Sequence, residues 1–267
     1  MRKRDRGGSG AVITKNILRI MTFNLRVETQ EDGINRFSNR VPRVLEAIER
    51  ESPDLIGFQE AKDEMRAFLR TNLPQYVVLG CGRDVSYNGE GIPIAYREEQ
   101  FELIEYQTKW LSNTPNNPGT RMGGDQSKYP RIYVFAKLRR IADNKTIAII
   151  NAHTDHLGEQ ARIFESALLI KAMKEIQADA IFLTGDFNAT PDSEEIKMLT
   201  AENGLNLMDL SANLSGSFHN YGRRVPASKI DYIFSTSSCV ECHLVEDHPV
   251  NGVYISDHNP IVASVCV

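Results

Sequence analysis

Short polar signatures interrupt the apolar runs of this sequence: Thr22-Phe23-Asn24, Phe58-Gln59-Glu60, Asn151-Ala152-His153, Gly185-Asp186-Phe187-Asn188, Lys229-Ile230-Asp231-Tyr232 and Ser256-Asp257-His258. Each sets a carboxylate, amide or imidazole where an expected strand leaves the core. Singly, each has a structural reading, because short motifs match often by chance: Asn24 a turn residue, Asp186 and Asn188 a loop start, Asp231 a half-buried hydrogen-bonded acid. Together they supply what hydrolysis of a phosphate ester requires: charge neutralisation on the phosphoryl oxygens, an activated water, and help for the departing oxygen. Glu60, Asn24 and Asp257 are ligand types that a hard cation such as Mg²⁺ prefers, and such a cation polarises the phosphate and stabilises the leaving oxygen. A histidine exchanges protons in the useful range when a carboxylate fixes its tautomer and orientation. Asp231 and His258 are candidates for such a pair.

Apolar patterning predicts the elements that must position these groups. Ile17 to Leu25 reads as a strand carrying Asn24 at its end. A helix capped by Asn39 then places Val41, Val44, Leu45 and Ile48 on one face, and Ser52-Pro53 stops it. Asp54 to Gln59 is a short buried strand delivering Glu60, followed by a helix over Lys62 to Asn72. Strands are expected at Tyr76 to Gly80, Ile92 to Arg97, Phe101 to Leu111, Arg131 to Leu138 and Thr146 to Asn151. Between two of them lies a long polar loop, Ser112 to Pro130, rich in glycine and proline and suspected of function for its length. Glu159 to Ala178 reads as a long helix, Ala180 to Thr184 as the strand before Asp186, and Pro191 to Thr200 as a further helix. Strands return at Ile230 to Phe234, Val240 to Val245 and Pro260 to Val265. This order does not alternate strand with helix as a doubly wound sheet requires; two sheets packed face to face with helices outside suit it better.

The chain of 267 residues, 41% hydrophobic and 25% charged, has the composition of a soluble globular protein. No apolar run reaches the ~20 residues needed to cross a bilayer, and the basic N-terminus lacks the apolar stretch of a secretory signal, so the expectation is a cytoplasmic monomer. Residues 1–15 are expected to form a disordered basic tail and 16–267 a single domain. A net charge of −4 and a pI of about 5.9 argue against tight, non-specific duplex binding. Cys239 and Cys242 form one C-x-x-C without the second ligand pair of a structural zinc site.

The signatures, in this order from about residue 17 to the C-terminus, resemble the endonuclease/exonuclease/phosphatase superfamily, most closely its bacterial hydrolases. The resemblance implies an α/β fold, a four-layer sandwich of two face-to-face, mostly antiparallel mixed sheets flanked by helices, with the site at one edge. It implies Glu60 as principal ligand of Mg²⁺ (Mn²⁺ substituting), with Asn24 beside it and Asp257 close to the metal. Asp186 would orient or deprotonate the attacking water and Asn188 would hold the phosphate. Asp231 would hydrogen-bond His258, which would bind phosphate and transfer a proton. His153 matches a second histidine of the family, with Glu90 placed to support it. Arg131, Arg223, Arg224 and Lys229 are candidates to meet a substrate phosphate. The expected substrate is a phosphate ester, nucleic acid or small molecule, with a preference for a smaller or single-stranded one.

Two other readings compete. Asn151 to His156 resembles the H-x-H-x-D-H of metallo-β-lactamase-like zinc hydrolases, with Asn in the first ligand position. A catalytically inert binding protein could retain the same fold, although no ligand or catalytic position implied by the resemblance is replaced.

Overall fold

Strand β1 (Ile17–Asn24) alternates its side chains between two cores, as a pleated strand buried on both faces must. Leu18 and Ile20 enter the layer between two sheets, while Met21 and Phe23 face a layer of helices. This is a computed structural model, and it describes residues 17–267; the basic tail expected over residues 1–15 lies outside them.

One six-stranded sheet has the order β11-β12-β1-β2-β4-β3, and the other the order β5-β6-β7-β8-β10-β9. The first contains β2 (Leu55–Gln59), β3 (Tyr76–Leu79), β4 (Ile94–Arg97), β11 (Cys239–Leu244) and β12 (Ile261–Cys266). The second contains β5 (Phe101–Trp110), β6 (Ile132–Arg140), β7 (Thr146–His153), β8 (Ala180–Asp186), β9 (Met208–Asp209) and β10 (Asp231–Ser235). Helices α1 (Phe37–Glu51) and α2 (Asp63–Asn72) cover the first sheet, and α3 (Glu159–Lys174) and α4 (Glu194–Thr200) the second. The expected α/β four-layer sandwich is therefore present.

Most pairs are antiparallel, but β1 pairs β2 in parallel and β7 pairs β8 in parallel. A parallel pair needs a crossover, and α1 and α3 supply the two. The consequence is positional. Both strands of a parallel pair end at the same edge, so Asn24 lies opposite Gln59 and His153 opposite Asp186. The antiparallel neighbour β10 begins there, with Asp231 opposite Asp186.

Beneath that edge a buried polar network joins the sheets. Gln59 Nε2 donates to Thr22 Oγ1 at 3.1 Å and to Asn151 Oδ1 at 2.8 Å. Asn151 Nδ2 donates to the Phe58 carbonyl at 2.7 Å, and Thr184 Oγ1 donates to Asn151 Oδ1 at 3.1 Å. Gly57 lies among these groups because a Cβ there would stand 2.2 Å from Thr184 Oγ1.

Several element boundaries depart from expectation. Asn39 does not cap α1: the helix starts at Phe37, and Asn39 lies inside its first turn with its amide bonded to the Ile34 carbonyl. The Glu28 carboxylate accepts the Ser38 N–H there instead, the service an N-cap side chain would perform. Ser52 ends α1 in the left-handed conformation. α3 stops at Lys174 rather than Ala178 and buries Glu165 and Ser166 beside Ala161, Leu169 and Met173, so its inward face is not apolar throughout. A 3₁₀ turn over Gln30–Asn35 and the short β9 had no apolar pattern to announce them. No helix of the described residues is long and apolar enough to cross a membrane.

Candidate active site

Residues from both sheets converge at this edge. After β1 the chain turns sharply, with Arg26 at φ 52°. The Arg26 N–H donates to Asn24 Oδ1 at 2.9 Å, and the Val27 N–H donates to Glu60 Oε2 at 2.9 Å. Glu60, just past β2, itself adopts φ 61°. Left-handed backbone at a non-glycine residue is strained, and persists where surrounding structure over-determines it, commonly at functional sites. Asn24 Nδ2 then donates to Glu60 Oε1 at 3.2 Å and to Asp186 Oδ2 at 3.0 Å, bridging the two sheets.

Asp186 Oδ2 is the hub. His153 Nε2 lies 3.7 Å from it and His258 Nε2 3.9 Å from it. The other oxygen of Asp186 accepts the Asn188 N–H at 2.9 Å, and Asn188 Nδ2 donates to the Thr154 carbonyl at 3.1 Å. Asn188 is left-handed as well (φ 47°), a conformation its short amide tolerates. His258 Nδ1 is 2.7 Å from Asp231 Oδ2, which also accepts the Ser217 hydroxyl. The ring of Phe218 packs 4.8 Å from the His258 ring, and Asp257 Oδ1 is 3.9 Å from His258 Nε2.

The electrostatics separate the two histidines. Burial disfavours a charged His258, but Asp231, Asp257 and Asp186 outweigh it and raise the imidazolium to about 10. His153 is driven well below the usual imidazole range by burial, then by Arg131 and Arg83. Burial, followed by the Asp231 charge, pushes Asp186 up to about 7, against the pull of His258. Asp257 is raised by burial and by Glu60. Glu60 is held below the carboxylate range despite burial, by the Val27 N–H and the Arg26 guanidinium.

The edge offers donors for a divalent cation, although Asp257, expected close to the metal, joins no group of them among the described residues. Ligand atoms of Glu60, His153 and Asp186 lie within 4.8 Å of one another, as do those of Asp186, Asp231 and His258. Carboxylates crowded closely enough to raise one another carry negative charge that a cation would offset. The Asn24 amide presents its nitrogen to this cluster, so ligation through Oδ1 requires the amide to turn over and release the Arg26 N–H.

Other expected groups lie farther out. Glu90 Oε1 faces His153 Nδ1 at 3.9 Å, too far for a hydrogen bond; its carboxylate is gripped by Arg83 at 2.8 and 3.1 Å. Arg131, expected at a substrate phosphate, is buried and directed to Asp155 at 3.5 Å and His156 Nδ1 at 2.9 Å. Lys229 pairs with Asp209 at 3.0 Å, and Arg224 lies over the Phe218 ring at 5.6 Å. Arg223 is exposed. The zinc pattern dissolves: Asn151 serves the inter-sheet network, and among the described residues neither Asp155 nor His156 joins a group of metal donors. Cys239 and Cys242 also join none.

Two residues escaped the sequence reading. Arg26 places its Nε 3.8 Å from Asp257 while a bidentate pair at 2.9 and 3.0 Å ties it to Asp32, whose carboxylate also accepts the Tyr221 hydroxyl at 3.0 Å. Its position two residues after Asn24 was the available signal. Ser217, on the Asp231 carboxylate, sits in a loop with no motif.

The profile of the endonuclease/exonuclease/phosphatase family matches residues 21–258. An endonuclease/exonuclease/phosphatase from Bacteroides vulgatus is 33% identical, with a TM-score of 0.87 over 94% of this chain and 99% of that one. A mannosyl-6-phosphatase from Bacteroides thetaiotaomicron is 26% identical, with a TM-score of 0.85 over 94% of this chain and 100% of that one. An uncharacterized protein of Acanthamoeba polyphaga mimivirus is 26% identical over 254 residues, 88% of this chain and 94% of that protein. With a family match across nearly all the described residues, the chain belongs to the endonuclease/exonuclease/phosphatase family.

Proposed function

We propose that this chain is a divalent-metal-dependent hydrolase of phosphate esters. Family membership supports a hydrolase acting on phosphoester bonds, and the observation that carries the finer reading is the setting of His258. Its Nδ1 is bound to Asp231, and its Nε2 points into a group of carboxylates at 3.9 Å from both Asp186 and Asp257.

Glu60, with Asn24 and Asp257 beside it, would hold Mg²⁺, or Mn²⁺ in its place, whose charge when bound offsets that of the phosphoryl oxygens and the leaving oxygen. Asp186, with a proton affinity near neutrality, accepts the proton of the attacking water. The water oxygen forms the new P–O bond as the ester P–O bond breaks. His258, charged at neutral pH, donates from Nε2 to the phosphoryl group and its leaving oxygen, while Asp231 keeps the Nδ1 proton in place. The neutral His153 and the Asn188 amide hold phosphoryl oxygens. Arg26 adds a fixed positive charge on the Asp257 side.

The net charge of −4 favours a small or single-stranded substrate over a duplex, and the likeness to a sugar phosphatase adds phosphomonoesters to the candidates. The test is hydrolysis of a panel of plasmid DNA, RNA and small phosphate esters with Mg²⁺ or Mn²⁺, by wild type, Asp186→Ala and His258→Ala. Activity in the wild type and its loss in both variants is expected. Equal inertness of all three supports the binding-protein reading instead, and rapid nicking of plasmid overturns the substrate preference.

A further inference from the structure

The loop over residues 112–130 is built rather than loose. Gln126 Oε1 accepts the N–H groups of Met122 and Gly123, and its Nε2 donates to the Tyr129 carbonyl at 3.1 Å. Asp125 caps the first turn of α3 through Gln160 N and Ala161 N at 2.9 and 3.0 Å. Asp155 accepts the Ser127 N–H at 3.1 Å together with its hydroxyl. The loop also meets the segment before β4, since Gly119 fits against Val85 where a Cβ would stand 3.0 Å away. These bonds hold Tyr129 in one place.

That place is linked to the reacting groups through Arg83. The Arg83 guanidinium lies 4.7 Å from the Tyr129 ring centre and grips Glu90, which faces His153. The His156 ring is 6.1 Å from the Tyr129 ring, and the Glu60 charge reaches both His156 and Arg83. Tyr129 nevertheless remains 39% exposed.

We propose that Tyr129 and His156, held by Arg83 and Arg131, form a recognition wall for the non-reacting part of the substrate, and that this part is a hydroxylated ring, as in a sugar or cyclitol phosphate. The inference rests on the phosphoesterase reading. Its chemistry follows from what the wall has left to offer. Arg83 and Lys128, at 4.7 and 5.2 Å, already occupy the Tyr129 ring as cation partners, whereas its hydroxyl bonds to none of the described residues. Arg131 donates to His156 Nδ1, which fixes the neutral tautomer with its proton on Nε2, a donor facing no described partner. Lys128 Nζ has no acidic partner among the described residues. Two donors and a phenol hydroxyl on a rigid support complement ring hydroxyls. A nucleobase would ask for an open aromatic face.

The experiment compares hydrolysis of hexose 6-phosphate, inositol monophosphate, nucleoside 5′-monophosphate and glycerol 3-phosphate by wild type and Tyr129→Phe. Phe keeps the ring and its contact with Arg83 and removes only the hydroxyl. The expected result is a wild-type preference for a ring polyol phosphate over glycerol phosphate. In Tyr129→Phe, the ratio of kcat/KM for that ring substrate to glycerol phosphate falls about five- to ten-fold, through KM, the loss of about one hydrogen bond. Which ring substrate responds tells sugar from cyclitol. A wild-type preference for the nucleotide, or an unchanged ratio in Tyr129→Phe, overturns the wall while leaving the phosphoesterase reading intact. A wild type inert on every ester overturns both.

Discussion

His258 Nδ1 stands 2.7 Å from Asp231 Oδ2, an oxygen that also accepts the Ser217 hydroxyl, while the second Asp231 oxygen is buried without a partner. The pair fixes which imidazole nitrogen points at Asp186 and Asp257. It also spans strand topology, since Asp231 opens β10 whereas His258 precedes β12 of the other sheet. Replacing Asp231 by Asn removes the charge that keeps the imidazolium protonated and lets the ring take the wrong tautomer. Under the proposed mechanism, kcat falls about 10²- to 10⁴-fold with KM nearly unchanged. Steady-state kinetics of Asp231→Asn measures this, and a loss confined to KM would assign the pair to substrate binding.

The proposed metal dependence is tested by removing and restoring the ion. Dialysis against a chelator is expected to abolish hydrolysis, and Mg²⁺ or Mn²⁺ to restore it. Glu60→Gln keeps the size of the side chain but removes the charge, so half-maximal activation should need at least about ten times more metal. A calorimetric Mg²⁺ titration of the two proteins checks the same point without turnover. Recovery with Zn²⁺ alone would overturn the choice of Mg²⁺ or Mn²⁺ as the ion.

Arg26 is held by Asp32 on one side and stands 3.8 Å from Asp257 on the other, so its charge is aimed rather than free. An aimed guanidinium stabilises charge that grows on a phosphoryl group. Arg26→Ala should lower kcat/KM by about 10- to 100-fold, and Arg26→Lys should recover only part, because an ammonium cannot hold the bidentate pair with Asp32 and keep its place. Equal activity of wild type and Arg26→Ala would confine Arg26 to shaping the turn.

Much of the candidate site is legible in the sequence because strand ends carry it. An apolar run that stops at Asn24, Glu60, His153 or Asp186 marks where side chains emerge, and parallel pairing brings those ends to one edge. What the pattern could not show was partner choice. Arg131 and Lys229 are candidates in the sequence to meet a substrate phosphate, but Asp155 and Asp209, distant in sequence, pair with them in the fold. The start of α1 was misplaced because its capping carboxylate, Glu28, comes from well before the helix. The loop over 112–130 stands out in the sequence only by its length and composition, because the hydrogen bonds that fix it run to Asp155 and α3 rather than along a local period. Asn151 looked like part of a ligand motif yet serves the buried joint between the sheets.

That joint makes a stability prediction. A methyl group at position 57 would stand 2.2 Å from Thr184 Oγ1 and 2.6 Å from Asn151 Oδ1, between strands of opposite sheets. Gly57→Ala must therefore spread the sheets or break the network that Gln59, Asn151 and Thr184 share. The expected cost is about 1–3 kcal/mol, read by urea unfolding. Hydrolysis should fall with it, because the strand that ends in Gln59 also sets the height of Glu60. An Ala variant as stable as wild type would mean the joint yields without strain.

Glu165 supplies a dependence on pH away from the reacting groups. It is buried in α3, accepts the Asp155 N–H at 2.8 Å with one oxygen and leaves the other without a partner. Burial pushes its carboxyl up to about 8 from an ordinary value of 4.5. The folded protein thus keeps a proton that the unfolded chain releases, and stability present below about pH 4.5 is lost as pH rises toward 8. Glu165→Gln has no such proton to lose. Its stability relative to wild type should grow with pH across that window, by up to about 1.4 kcal/mol per unit, in urea unfolding at pH 5, 6.5 and 8. Comparing the two proteins at each pH cancels the titrations they share, so a constant offset would show that Glu165 is ionised in the fold and paired well enough to stay so.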